Sequence, residues 1–435
     1  METLAQSVST QAPTASAAMT IPLVFASAGN GTWLAYLIAT ACTLPVALCV
    51  ALFARESTSP GSLYTYSTAS LPPVLGSVAA WSLVLAYVAT GASVVGGFIH
   101  YANVVLNEYF GLTCPAALLA VLAVAGSTWI AYRDVKVSAS LMLYIEVACV
   151  VLISTVFVLL LWKHGLHVDS AQLSLRGVNF TGVRLGVVLA MFSFAGFESA
   201  TTLGDEVKDP LRTIPRALIQ STLLCGLFFI VCSYVEVLGF PASAGTLDQS
   251  DAPITVLAEA AGVRPLGRFI DVGVMVTMLA CTLACITAAA RVLMLMGHNG
   301  LAPARMSVTH ATNKTPYIAI VASALATIAL SGALVLGKVS GETIYDWMGS
   351  VAVYGFVTVY ALVAVALPLY FRRNKRPYGA AMLLAALSVM AMGVVLEGTL
   401  YPVPEAPKNL MPYYFLLFLI VAAGWNAWSA RAKRA

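Results

Sequence analysis

Residues Met191 to Ala217 read MFSFAGFESATTLGDEVKDPLRTIPRA. The stretch begins inside an apolar run and is interrupted by Ala195-Gly196, with an aromatic on either side. It then carries a carboxylate at Glu198 and leaves the apolar phase through an acidic–basic segment, Asp205 to Arg216. A soluble core helix has little reason to hold a Gly and a Glu mid-span and then end in so much charge. A membrane helix that must open around a polar solute has good reason, because hydrocarbon offers no partner to a freed backbone group and a solute does.

Composition points the same way. Hydrophobic residues make up 60% of 435 positions and charged residues 10%, with a mean hydropathy of +0.88. Soluble domains run at about 45–50% apolar and about 25% charged, so the chain reads as a polytopic membrane protein. Of the eight cysteines, only Cys114 lies at the edge of an apolar run. They read as small buried residues rather than a disulfide framework. Cys281 and Cys285 share a helix face without a His cluster nearby, so neither a metal nor another cofactor is expected. No basic segment precedes the first apolar run, so no cleavable signal peptide is expected. Phosphate-cradling loops, zinc-ligand spacings and nucleophile elbows do not occur, and only His100 of the five histidines falls inside a span. The sequence therefore gives no support to an enzyme or to nucleic-acid binding.

Crossing ~30 Å of hydrocarbon takes about 20 apolar residues. On that measure twelve spans are expected, at 4–27, 33–54, 74–103, 115–132, 138–162, 183–203, 216–240, 266–297, 316–337, 343–371, 378–400 and 411–430. The first has a polar front half, ETLAQSVSTQAPTAS, and reads either as a leader or as a span interrupted at Pro13, which lacks a backbone donor. Of the 23 Lys and Arg, seven (Lys163, Arg176, Arg184, Arg264, Arg268, Lys338 and Lys408) fall on one side and the other sixteen on the side of the termini. That bias puts both termini in the cytoplasm of a multi-pass cell-membrane protein.

The run Ser193-Phe194-Ala195-Gly196-Phe197-Glu198, with Glu206-Val207-Lys208-Asp209-Pro210 and Ile214-Pro215-Arg216-Ala217, resembles the sixth span of amino acid permeases of the amino acid–polyamine–organocation superfamily. Ala12-Pro13-Thr14-Ala15-Ser16 followed by Ile21-Pro22-Leu23-Val24 resembles their interrupted first span, with Thr14-Ala15-Ser16 in place of the usual Gly-Ser-Gly. Ser59-Pro60-Gly61-Ser62-Leu63-Tyr64-Thr65-Tyr66 resembles the inner loop after span 2. Ala290-Arg291 with Gly300-Leu301-Ala302-Pro303 resembles the end of span 8. The resemblance implies an all-α membrane protein, residues 1–435 forming one transporter domain with a LeuT-type five-plus-five inverted repeat. The repeats run over about 1–163 and 183–371, helices 1 and 6 are broken, and two accessory helices follow over about 378–430.

Those breaks are where chemistry is expected. Amides around Thr14, Ala15, Ser16, Ala17 and Ala18 lie at the start of a half-helix, whose positive dipole end suits a carboxylate. Carbonyls near Phe192, Ser193 and Ala195 suit an ammonium, and Gly196 either opens the chain or allows close packing. Phe192 falls where the family carries an aromatic over the substrate; packing is the alternative. Ionisable groups inside spans are functional candidates, which singles out Glu198 and Glu146 for proton coupling, although Glu198 serves equally as a cap for freed amides. The family lysine of span 5 falls at Cys149, and Thr282 lacks the second hydroxyl of a sodium site. Glu236, Asp271 and Asp346 are expected at the interface. The expected function is a secondary transporter of amino acids, symporting or exchanging an ion, a proton rather than sodium. The alternatives are a polyamine or organic-cation carrier, which calls for more carboxylates near the breaks than Glu198, and a non-transporting sensor of the same fold. The particular substrate and the oligomeric state are not legible.

Overall fold

The computed structural model describes residues 2–57, 62–133, 135–163, 165, 169–204, 207–401 and 403–432. Ser59-Pro60-Gly61 and Glu206, on which the resemblance draws, lie outside them. The described residues form helices and turns without a strand. In chain order the helices are α1 (Glu2–Gln11), α2 (Pro13–Ala15), α3 (Ile21–Ala28), α4 (Thr32–Ala54), α5 (Ser62–Thr68), α6 (Pro73–Phe110), α7 (Ala116–Arg133), α8 (Val135–Lys163) and α9 (Ser170–Leu173). They continue as α10 (Phe180–Phe192), α11 (Pro210–Gly239), α12 (Pro253–Ala260), α13 (Arg264–His298), α14 (Tyr317–Leu336), α15 (Gly341–Arg373), α16 (Gly379–Leu400) and α17 (Met411–Ala432).

Eleven helical stretches among the described residues are long and apolar enough to cross a membrane, the first running from Thr3 to Ala54. The outer helices turn large apolar residues away from the bundle: Val151 and Val158 on α8, Leu383 and Met390 on α16, Leu417 and Ile420 on α17 are all exposed. That is the inverse of a soluble surface and fits lipid as the solvent.

Inside, α6 packs along both α13 and α15, α4 along α11, and α7 along α14. Small residues allow the approach: a Cβ at Gly96 would lie 2.6 Å from the Gly341 carbonyl oxygen, and one at Gly355 would lie 2.6 Å from that of Ser82. The polar front of the chain is no loose leader. It forms α1, whose Ser7, Ser9 and Thr10 are buried between α8, α11 and α13.

Candidate substrate and coupling site

Two interruptions meet in the middle of the bundle. In the first, α1 ends at Gln11 and Ala12 takes up a left-handed conformation (φ 45°, ψ 63°). Pro13 has no N–H to continue the ladder. The next amide, Thr14, leaves the helix pattern and donates to Glu146 Oε1 of α8 at 2.7 Å. The Ser16 amide returns to the Ala12 carbonyl at 3.0 Å, and Ser16–Thr20 winds as a wide π turn before α3. Residues Thr14, Ala15, Ser16, Ala17 and Ala18 are all buried.

In the second, α10 ends at Phe192. The amides of Ser193, Phe194 and Ala195 bond back only three residues, to Ala190, Met191 and Phe192. Gly196 follows at φ 87°, and Phe197–Leu203 continues as a 3-10 segment. A Cβ on Gly196 would lie 2.2 Å from Thr10 Cγ2, so the chain needs glycine here for its φ and for the close approach. The interruptions are stitched together: Ser7 Oγ donates to the Phe197 carbonyl at 2.6 Å, and Thr10 Oγ1 lies 3.0 Å from Ser199 Oγ.

Tyrosines surround this junction, and the sequence reading missed them. Tyr36 OH lies 3.2 Å from Ser193 Oγ, Tyr101 OH donates to the Ala18 carbonyl at 3.2 Å, and Tyr345 OH lies 2.8 Å from Thr20 Oγ1. The Phe192 ring stands edge-on to Tyr345 with centroids 5.6 Å apart, and it packs over Gly349, where a Cβ would come within 3.0 Å. A phenol buried inside a span needs a partner for its hydroxyl, but which span supplies that partner is not written in the sequence.

Of the two proton-coupling candidates, Glu198 is fully buried and takes one hydroxyl on each oxygen, from Tyr87 at 2.7 Å and Tyr360 at 2.8 Å. Glu146 holds the Thr14 amide. The structure puts Glu198 beside the second interruption and Glu146 beside the first. Cys149 packs against Gly273, and Thr282 Oγ1 donates to Met278 of its own helix at 2.9 Å. Cys281 Sγ faces the Thr10 carbonyl at 3.5 Å.

Glu236 and Asp271, expected at the interface, lie three and seven residues from the ends of α11 and α13 and are 0% and 1% exposed, because they sit on faces that neighbouring helices cover. Asp346 forms an ion pair with Lys408 at 2.5 Å. Lys408 lines a cavity of about 310 Å³ between α10, α15 and α16, and Asp346 lines a smaller space reaching Thr20, Phe192 and Tyr345. Val188, Leu189 and Ser350 line both. At the other end of the bundle, Asn299 donates to Tyr64 OH at 2.8 Å, and Arg291 Nη1 donates to the Thr202 carbonyl at 3.2 Å. Of the residues singled out from the sequence, Tyr64 of the inner loop thus meets Asn299 at the end of α13, and Arg291 meets the 3-10 segment.

Apolar helices packed around two facing interruptions, with phenols and carboxylates buried between them, define a polytopic membrane protein. The chain belongs to the amino acid permease family, whose model matches residues 7–435. It is 26% identical to the branched-chain amino acid permease of Bacillus subtilis over 314 residues, 67% of this chain and 65% of that one. It is 28% identical to the low-affinity putrescine importer of Escherichia coli over 318 residues, 69% and 67% of the two chains. To the methylthioribose transporter of Bacillus subtilis it is 25% identical over 337 residues, 74% and 71%. The matches span about two thirds of the length of these relatives. The fold is similar to the crystal structure of a manganese transporter from Eremococcus coleocola, with a TM-score of 0.55 at 11% identity, covering 99% of this chain and 95% of that one.

Proposed function

We propose that this chain is a secondary transporter carrying an amino acid across the cell membrane by alternating access, in exchange or together with a proton. The observation that carries the reading is the pair of facing interruptions, one after Gln11 and one after Phe192, tied by Ser7–Phe197 and Thr10–Ser199 contacts. Non-helical backbone at this depth is tolerated where it lines a site for a polar solute. The substrate carboxylate is taken at the start of the half-helix within Thr14–Ala18, by amides other than those of Thr14 and Ser16, which already bond Glu146 and the Ala12 carbonyl. Its ammonium is taken by carbonyls of Phe192, Ser193 and Ala195, with the Phe192 ring above and Gly196 as the point of flexure.

The architecture is twelve spans in one domain, residues 1–163 and 183–371 forming a LeuT-type inverted repeat with helices 1 and 6 discontinuous. Thr3–Ala54 supports a count of two for its own stretch. Its 52 residues amount to roughly 78 Å of helix, more than twice the hydrocarbon thickness, and Gly29 interrupts it at φ 53°, ψ −127°. Packing also favours the repeat. With α4, α6, α7 and α8 as spans 2–5 and α11, α13, α14 and α15 as spans 7–10, spans 2, 3 and 4 lie against 7, 8 and 9, and the 3–10 contact has its counterpart in 8–5. The charge bias places both termini in the cytoplasm.

The test is a thermal-shift screen of the purified protein against amino acids and amines, followed by flux of the best ligand into proteoliposomes. Binding with flux supports a carrier; binding without flux means a sensor of the same fold; no binding at all removes the reading. Decarboxylated analogues are expected to bind roughly ten- to 150-fold more weakly, the effect of losing an anion from charge-assisted donors. Equal affinity for an amino acid and its amine overturns the carboxylate assignment and favours a polyamine carrier.

A further inference from the structure

A cavity of about 320 Å³ opens between α6 and α17, and none of its lining residues belongs to the two interruptions. Val74, Val78 and Trp81 of α6 form one wall, and Leu419, Ala422 and Ala423 of α17 form the other. The helices touch on either side of it. Met411 and Phe415 of α17 pack with Tyr354, and the Phe418 ring stands edge-on to Trp81 with centroids 6.1 Å apart. Farther along α17, Asn426 Nδ2 donates to Ser77 Oγ. Between these contacts the small side chains of Ala422 and Ala423 leave space unfilled.

The lining is apolar except at three residues, Ser77, Trp81 and Asn426. Two of these carry a buried polar atom without a hydrogen-bond partner: the indole Nε1, a donor, and Asn426 Oδ1, an acceptor. Native proteins seldom leave such atoms unmet. Water finds polar partners there but leaves the hydrocarbon walls uncovered. The complementary ligand accepts at one point, donates at another and is otherwise hydrocarbon.

The position of the cavity says where that ligand comes from. Val74 is 70% exposed, and α17 turns Leu417 and Val421 outward beside it, so the opening lies on the lipid-facing surface. Pro73, which also lines it, begins α6, and Asn426 stands six residues before the end of α17. That is the depth at which hydrocarbon gives way to headgroups. In sequence, Arg431, Lys433 and Arg434 follow Asn426 within eight residues, and basic residues just beyond a span attract anionic lipid.

We propose that this cleft binds one membrane phospholipid with an anionic, hydroxyl-bearing headgroup, of the phosphatidylglycerol type. An acyl chain lies between the α6 and α17 walls, Trp81 Nε1 donates to a phosphate or ester oxygen, and a headgroup hydroxyl donates to Asn426 Oδ1. Leu301 also lines the cleft, two residues beyond Asn299 and its bond to Tyr64, so a bound lipid bears on the loop that follows α13. The site is independent of the substrate reading.

The experiment adds phosphatidylglycerol or phosphatidylcholine of the same chain length to the delipidated full-length protein and counts retained lipid by native mass spectrometry. Wild type is expected to retain one phosphatidylglycerol in preference to phosphatidylcholine, which lacks both the net charge and the hydroxyls. Trp81→Phe keeps a ring against Phe418 but loses the donor, and should weaken retention roughly three- to tenfold, the weight of one hydrogen bond. Ala423→Phe fills the cleft and should abolish it, whereas Val421→Phe, on the same helix outside the cleft, should change nothing. Thermal denaturation reports whether each variant is folded, and should Trp81→Phe fail to fold, the two α17 variants carry the test. Equal retention of the two lipids by wild type overturns the inference. So does phosphatidylglycerol retention unchanged in Ala423→Phe, which puts the lipid elsewhere. If Ala423→Phe instead splits a wild-type dimer into single chains, the cleft belongs to a second copy and the inference falls.

Discussion

At Gly196 one missing side chain serves two purposes. The φ of 87° lies where an L residue costs about 1–2 kcal/mol, and the space a Cβ would fill is taken by Thr10 Cγ2. Gly196→Ala is therefore expected to lower the melting temperature and the folded yield. Thr10→Ser removes the clashing methyl while keeping the hydroxyl that meets Ser199. Combined with Gly196→Ala, it should recover part of the steric loss, since Thr10 Cβ still lies 2.9 Å from the added carbon, and leave the conformational part. A Gly196→Ala protein as stable as wild type, measured by thermal denaturation in detergent, rejects this account. The sequence exposed Gly196 and Glu198 because a glycine and an acid are conspicuous inside an apolar run. It did not expose Tyr36, Tyr101 and Tyr345, whose positions look like ordinary core aromatics until their hydroxyl partners on other spans are known. The burial of Glu236 was hidden for a related reason: distance from a span's end says nothing about which face neighbouring helices cover.

At the scale of elements, the long spans were legible because hydropathy and length fix them almost independently of packing. The short helices α5 and α12 were not, since helices of 7 and 8 residues are held by tertiary contact rather than by propensity. The polar α1 was ambiguous because its serines and threonines find partners only across the bundle. Packing also creates a feature no single element carries. The Lys408–Asp346 ion pair joins the chain entering α17 to α15, where the larger cavity meets the space beneath Phe192. Both side chains are partly solvent-accessible, so the pair contributes little to stability, about 0–1 kcal/mol. Its effect is expected on access instead. With a cysteine introduced at Ser350, which lines both spaces, Lys408→Ala should speed modification by a membrane-impermeant thiol reagent while leaving the melting temperature nearly unchanged. Native Cys42 and Cys114, the partly exposed thiols, are replaced beforehand. An unaltered modification rate means the pair does not guard the passage.

For the whole molecule, the coupling ion is decided by which buried groups can gain and lose charge as the two interruptions move. A sodium site needs several oxygens converging on one point. Thr282, the hydroxyl on the span where one was sought, is turned to its own backbone at Met278, and its neighbour is Cys281. A transported proton needs one ionisable group whose hydrogen bonds tolerate both charge states. Glu198 meets that requirement, since the hydroxyls of Tyr87 and Tyr360 donate to a carboxylate and each can also accept from a carboxylic acid. These phenols come from α6 and α15, so the protonation state of Glu198 is linked to the grip of two spans on the 3-10 segment. Uptake into proteoliposomes is accordingly expected to follow an imposed pH gradient and to be indifferent to replacement of sodium by potassium. Glu198→Gln, which keeps a side-chain amide between the phenols but carries no exchangeable charge, should retain substrate exchange and lose accumulation driven by the gradient. Glu146→Gln distinguishes the reserve candidate. If that variant alone loses accumulation, the proton rides beside the first interruption, on the group that holds the Thr14 amide. Wild-type accumulation in both variants makes the two acids structural, and an absolute requirement for sodium rules out proton coupling altogether.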